Sequence, residues 1–291
     1  MKEAITAIAI LALGCSCIAQ SGSPIATSEQ SQAVAIQQTV VEGASSSLAP
    51  IQTCNLTFTS GSGNTFLSSC ITPNGNITRL ETPQGFLQIN HILPFPIDGG
   101  EGYGFCDAKA ATAYFDYAYT DSANWGATSV VSQTATSIKL ARTTADGIWT
   151  LTQTITQVPS TASVKVVMAL KNNTTVARTV NLLRYANIDA DNFNFNFGSG
   201  TGNGAFIWNV SPDPASLTQR NGLALQNIGT PQLPAWDGFV QSTVFGPNPC
   251  AFAANWAGAT PTDDDLSAVL AYSGTVPAKA TKTVTVSYKG M

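Results

Sequence analysis

Between residues 137 and 191 apolar and polar positions alternate with a period of two, run after run, with little in between. Ile138–Thr144, Ile148–Gln157, Ala162–Lys171 and Val176–Asp189 each read as a half-buried strand. In the second run Trp149, Leu151, Gln153 and Ile155 make one face. Thr150, Thr152, Thr154 and Thr156 make the other, a threonine stripe suited to solvent. Val164, Val166, Met168 and Leu170 repeat the apolar face. Upstream, Cys54–Thr59, Thr65–Thr72 and Asn76–Glu81 are strands separated by the turn clusters Ser-Gly-Ser-Gly-Asn and Pro-Asn-Gly-Asn. Residues 83–107, with Pro94, Pro96 and Gly99-Gly100, read as a long irregular loop. Residues 191–262 alternate short strands with Gly/Pro/Asn loops. Asp263–Asp265 opens a last hairpin, Leu266–Gly274 and Thr281–Tyr288, with Val284, Val286 and Tyr288 facing inward. The predicted fold class is all-β, a large antiparallel β-sandwich, with one domain over 54–291.

Composition narrows the setting. Only 10% of the 291 residues are charged, against the usual quarter, so polarity comes from Thr, Ser, Asn and Gln. The 13 Lys+Arg are outnumbered by 17 Asp+Glu and form no basic run, which argues against a nucleic-acid partner. Lys2 precedes an apolar run, Ala4 to Gly14, that is too short to span a bilayer. It reads as a signal peptide over 1–19, with Cys17 and Ala19 as the small pair before cleavage and Gln20 first in the mature chain. The alternative is a lipoprotein signal, Leu11-Ala12-Leu13-Gly14-Cys15, with a lipid anchor at Cys15. The expected location is therefore outside the cell or in its envelope. Residues 20–53 are rich in Ser, Gln and Ala and read as a flexible leader.

Export leaves four cysteines, and an even count there points to two disulfides, for which three connectivities exist. The pairing expected is Cys54–Cys70, joining neighbouring strands, and Cys106–Cys250, tying the long early loop to a late one. Zinc is disfavoured, because no two of the four have C-x-x-C spacing and the only histidine is His91.

Several phrases occur together in a set order. They are Glu101-Gly102-Tyr103 with Cys106-Asp107, Tyr114–Asp116, Trp125, and Arg142-Thr143-Thr144-Ala145-Asp146-Gly147. After them come Leu151-Thr152-Gln153-Thr154, Met168-Ala169-Leu170-Lys171-Asn172-Asn173, Leu183–Asp191 and the closing Ala-Lys-Ala-Thr-Lys-Thr-Val-Thr-Val-Ser-Tyr. Over most of residues 72–291 the chain resembles a group of secreted bacterial β-sandwich proteins to which no activity is assigned. Its sheet layout is also similar to the large sandwich of mutarotase-like and polysaccharide-lyase-like domains, a likeness of fold alone. Enzymes on such folds typically use His or carboxylate pairs. This chain has one His and no matching constellation, so the resemblance implies a sandwich but no catalysis.

Asn187, Asp189 and Asp191 alternate along one strand, so their oxygens share a face. Oxygen-only ligands suit Ca²⁺, with Asp116, Asp121 or Asp263–Asp265 as further donors. The competing reading is a hydrogen-bonded strand end that pairs with Arg184 or Arg142; no other cofactor is implied. Trp125, Trp236 and Trp256 fall in loop-like stretches beside Asn124, Asp237 and Asn255, aromatic faces next to hydrogen-bonding groups, as a sugar cleft needs. The competing reading folds these tryptophans back onto the sandwich. Glu81 and Glu101 with Asp98 or Asp107 could form a glycosidase pair, but with about a dozen other acids the signal is weak. No nucleophile elbow, phosphate loop or dinucleotide fingerprint is present. The leading expectation is a secreted, non-catalytic sandwich with a binding or surface-structural role, its partner a glycan or an envelope component. A carbohydrate-binding module comes second, and a carbohydrate-active enzyme on a mutarotase-like sandwich third.

Overall fold

The computed structural model describes residues 54–83, 85–88, 100–190, 197–208, 222–241, 246–251 and 266–291. The proposed signal peptide and leader, with Cys15, His91, Asp98, Asp191, Asn255, Trp256 and Asp263–Asp265, lie outside the described residues.

The described residues form strands in three antiparallel sheets. The first runs β1 (Leu56–Ser60), β2 (Leu67–Ile71), β3 (Ile77–Thr82), β4 (Gly85–Gln88) and then the short β12 (Asp189–Ala190). The second uses β7 (Ser129–Gln133), β8 (Ser137–Thr143), β9 (Trp149–Val158), β10 (Ser163–Asn172), β13 (Phe197–Thr201), β14 (Gly204–Trp208), β15 (Gly222–Asn227) and β18 (Thr281–Gly290). Its order is β13-β14-β15-β18-β10-β9-β8-β7. The third contains β5 (Glu101–Asp107), β6 (Thr112–Asp116), β11 (Arg178–Asn187), β16 (Ala235–Gln241) and β17 (Ser267–Val276), in the order β16-β17-β11-β5-β6. The architecture is an all-β sandwich.

Period-two alternation accounts for the eight-stranded sheet. Along β9 every odd residue from Trp149 to Gln157 is buried and every even one half-exposed. The register of β9 with β10 places Leu151 opposite Leu170 and Ile155 opposite Val166. The register of β10 with β18 adds Val284, Val286 and Tyr288 to the same face. That face meets Phe105, Leu182 and Tyr272 of the third sheet and Phe58, Leu80 and Ile77 of the first in one buried cluster. Each fully buried side chain of this size contributes about 1.5–3 kcal/mol of transfer free energy.

The middle of the third sheet is buried on both faces. On its far side Leu183, Tyr185, Phe239 and Val269 form a second cluster with Tyr117. The Tyr117 hydroxyl donates to the Pro247 carbonyl at 2.8 Å. Here the structure departs from the sequence pattern. The stretch that reads as an irregular loop contains β5, a strand whose seven residues are all buried. Its glycines are packing requirements rather than turn signals. A Cβ on Gly102 would sit 1.9 Å from the Asp116 carbonyl oxygen, and one on Gly104 would sit 2.8 Å from the Tyr117 hydroxyl.

Both disulfides form, Cys54–Cys70 across β1–β2 and Cys106–Cys250 between β5 and the segment over its far face. They close loops of 16 and 144 residues. In the chain-entropy account each contributes about 3–5 kcal/mol. Among the described residues no helix is long and apolar enough to cross a membrane.

Trp149 is fully buried and its indole N–H donates to Asp107 Oδ2 at 3.1 Å. Trp149→Ala is therefore expected to destabilise by about 3–5 kcal/mol. Thr152→Ala, on the open face of the same strand, is expected to stay within about 0.5 kcal/mol. Urea unfolding midpoints check this, and equal shifts would contradict the assigned facing.

Candidate functional site

Most of the charged side chains between the sheets lie in a polar layer built on inward register positions of β5, β6, β8 and β11. Three arginines anchor it. In the β11–β5 register Arg184 lies opposite Tyr103 and Glu101 opposite Ala186, so Glu101 and Arg184 are diagonal neighbours on one face. Both are fully buried. Arg184 Nε donates to Glu101 Oε1 at 2.5 Å, as does the Tyr288 hydroxyl. The Ile77 amide donates to Glu101 Oε2 at 2.5 Å. Arg184 Nη1 reaches Gln153 Oε1 at 2.6 Å, and Nη2 reaches the Gly75 carbonyl at 3.3 Å. Burial pushes the Glu101 carboxyl above its ordinary range, against the pull of Arg184, Tyr288 and the Ile77 amide.

The second node is Arg142 on β8. Its Nη1 donates to Asp116 Oδ2 at 2.6 Å, its Nη2 to Asp121 Oδ2 at 3.1 Å, and its Nε to the Gly126 carbonyl at 2.9 Å. Its guanidinium lies 5.3 Å above the Trp125 ring, a cation–π contact. Burial and then the Asp116 charge raise the Asp121 carboxyl, and Arg142 opposes them. The third node pairs Arg178 with Asp107, whose Oδ2 also accepts from Trp149. Beside it the Tyr114 hydroxyl donates to Asp146 Oδ2 at 2.5 Å, and Asp146 Oδ1 accepts from the Thr144 hydroxyl at 2.6 Å and the Ile148 amide at 3.0 Å.

The structure separates the residues proposed for a sugar cleft. Trp125 is 9% exposed and packs edge-on against Tyr103, Phe105 and Tyr114 at 5.5, 5.7 and 6.1 Å. Its indole N–H donates to the Phe115 carbonyl at 3.2 Å. Asn124 donates to the Ala113 carbonyl at 2.9 Å and accepts from the Ser122 hydroxyl at 2.5 Å. Trp236 lies on β16, half-buried against the main cluster, and Asp237 accepts from the Gly238 amide at 2.9 Å. Trp236 pairs across to Tyr272 at the β16 edge, and Trp125 packs on Tyr114 at the β6 edge. Four strand spacings, roughly 19 Å, lie between those edges.

Of the proposed Ca²⁺ donors, Asn187 and Asp189 are buried. The Asn187 side-chain amide has no hydrogen-bond partner among the described residues. Asp116 and Asp121 are instead occupied by Arg142, and Arg184 by Glu101. Among the described residues no three His, Cys, Asp or Glu side chains gather as a metal site. Glu81 pairs with Arg79 on its own strand. Sequence reasoning passed over Gln153, Arg178 and Tyr288 as network members. The signal available was their register, polar groups at inward positions of otherwise apolar strand faces.

No protein-family model matches the chain. No curated protein matches it either. Among solved structures it is similar to a bacterial glucoamylase complexed with acarbose, at 8% identity and TM-score 0.48, over 84% of this chain and 33% of that one. It is similar to a galactose mutarotase related enzyme from Lactobacillus acidophilus, at 8% identity and TM-score 0.41, over 81% and 97%. A galactose mutarotase-like protein from Lactobacillus casei matches at 8% and 0.43, over 81% and 100%. At such identities and scores these likenesses bear on neither activity nor substrate.

Burial raises the Asp146 carboxyl, but the hydrogen bonds from Thr144, Tyr114 and the Ile148 amide outweigh it and leave the group below its ordinary value. A carboxyl lowered in the folded state stabilises above its unfolded value, about 3.9, and that contribution disappears as pH falls through the folded value. Asp146→Asn is therefore expected to lower the unfolding midpoint at pH 7 and to converge with the parent as pH drops below about 4. A difference that is constant with pH would contradict this.

Proposed function

We propose that the protein is an exported, non-catalytic β-sandwich that acts by binding or as a structural component of the cell surface. The observation that carries this reading is the state of the acids between the sheets. Glu101, Asp107, Asp116 and Asp121 are each held by an arginine, and none is more than 8% exposed. A general acid or base must reach a substrate and exchange protons with it. Carboxylates whose oxygens are already occupied by guanidinium and amide donors are arranged to hold strands. Two disulfides supply a second line of support, since they suit an oxidising compartment.

Carbohydrate recognition without turnover is the form of binding that the half-exposed aromatics of the sheets favour, Trp208 and Phe197 among them. The test is direct. The purified protein is incubated with free hexoses and with neutral and acidic oligosaccharides, and anomer exchange and new reducing ends are followed by proton NMR. The expected result is no rate above the blank. A rate proportional to protein concentration would overturn the non-catalytic reading.

A further inference from the structure

The lysines are scattered in sequence, but the fold gathers half of them. Lys139, Lys165, Lys171 and Lys289 all sit at outward register positions of the eight-stranded sheet. Lys139 pairs with Thr154, Lys165 with Thr156 and Ser287, Lys171 with Thr150 and Thr281, and Lys289 with Ser163 and Ala224. The alternate positions of these strands point into the core, so the outward set shares one face, on which the lysines are exposed or half-exposed and the neighbouring Ser163, Ala224 and Ser287 are buried. Lys165 and Lys289 are diagonal neighbours across β10–β18, about 7–8 Å apart. Lys171 lies six residues along β10 from Lys165, roughly 20 Å.

Among the described residues no acidic side chain belongs to that face. No strand of the eight-stranded sheet contains an Asp or Glu. The ion pairs among the described residues are all made by arginines, and none involves these four lysines. In a chain with net charge −4, this is a local reversal of sign. Beside the lysines the outward positions of β9 are half-exposed threonines, hydroxyl donors and acceptors, while Val167 and Ala169 lie between Lys165 and Lys171 on β10. At its far end β14 carries Phe206 and Trp208 outward, both half-exposed, with Trp208 stacked on Phe197 at 6.5 Å and 19°. Trp208 lies two strands and two residues from Lys289, roughly 12 Å.

We propose that this face docks an extended anionic polysaccharide. The inference rests on the binding reading above and names its partner class. The lysines meet the carboxylate or sulfate groups of the polymer, the threonines its hydroxyls, and the Trp208–Phe197 pair one sugar face. Charge complementarity argues for an anionic partner, because a neutral glycan would leave the four lysines unused. A lipid surface fits less well, since the aromatic groups of the face are confined to one corner and only single valines such as Val167 lie among the lysines.

The test uses polygalacturonate as probe, with neutral dextran and vesicles of mixed phosphatidylcholine and phosphatidylglycerol as the other arms, measured by titration calorimetry and vesicle sedimentation. Two variants of the full chain are compared with the parent. One combines Lys139→Gln, Lys165→Gln and Lys289→Gln, and the control combines Lys109→Gln with Lys279→Gln, both turn lysines off the strands. All five sites are solvent-facing, and melting curves confirm folding. The expected result is that polygalacturonate binds the parent and weakens with salt, dextran does not bind, and the triple variant loses on the order of tenfold in affinity while the control does not. Polygalacturonate binding that survives in the triple variant would overturn the face while leaving a binding protein. Binding of dextran as tight as polygalacturonate, binding of the vesicles alone, or no binding to any arm would overturn the anionic polysaccharide itself. Cleavage of the polymer would instead refute the non-catalytic reading.

Discussion

Arg184 and Glu101 form an ion pair with no solvent exposure, and its requirements run through all three sheets. Each ion costs several kcal/mol to bring out of water, and the pair persists only because every neighbouring element supplies a hydrogen bond. The third sheet provides both ions, from β5 and β11. The eight-stranded sheet provides Tyr288 from β18 and Gln153 from β9. The first sheet provides the Ile77 amide and the Gly75 carbonyl from the β2–β3 turn. A shift of one residue between β5 and β11 would turn Glu101 or Arg184 to the other face and separate the pair, and a shift of β9 or β18 would remove Gln153 or Tyr288 from it. The pair thus contributes less to net stability than to the choice of one arrangement.

The same logic explains why polar residues are tolerated in the layer at all. Arg142 and Arg178 repeat the device farther along, each taking up aspartates that would otherwise be stranded. Around them the aromatic residues do double service. Trp149 fills the core and satisfies Asp107, and Trp125 lies under the Arg142 guanidinium while closing the β6 edge. Among the described residues, Glu101, Asp107, Asp116, Trp125 and Trp149, which in isolation look like the parts of a sugar-processing cleft, are engaged in contacts between the strands. The outer face of the eight-stranded sheet, with its threonines and lysines, takes no part in these joints.

Much of this fold was legible in the chain because one face of each outer strand meets solvent. The Thr150, Thr152, Thr154, Thr156 stripe against Trp149, Leu151 and Ile155 gives both the strand and its facing. β5 was illegible for the opposite reason. A strand buried on both faces has no alternation, and Gly102 and Gly104, required by the close approach of Asp116 and Tyr117, look like turn residues. The ion-pair layer was hidden by distance, since Glu101 and Arg184 are 83 residues apart and only the register joins them. The disulfides were legible in part: four cysteines beyond the apolar N-terminal run suggest two bridges, and Cys54 and Cys70 fall on neighbouring predicted strands, which favours one of the three connectivities. The lysine face was invisible for a simpler reason, as charges spaced along three different strands form no run in the sequence.

The central claim is that the Glu101–Arg184 pair is a structural joint between sheets. A double-mutant cycle on unfolding free energy measures it, using Glu101→Gln, Arg184→Met and the two combined. The account predicts that Arg184→Met alone costs about 3–5 kcal/mol, because Glu101 is left buried and uncompensated, and that the double variant recovers a large part of that loss. Additivity of the two single changes within about 0.5 kcal/mol would show that the residues act independently, and would contradict it.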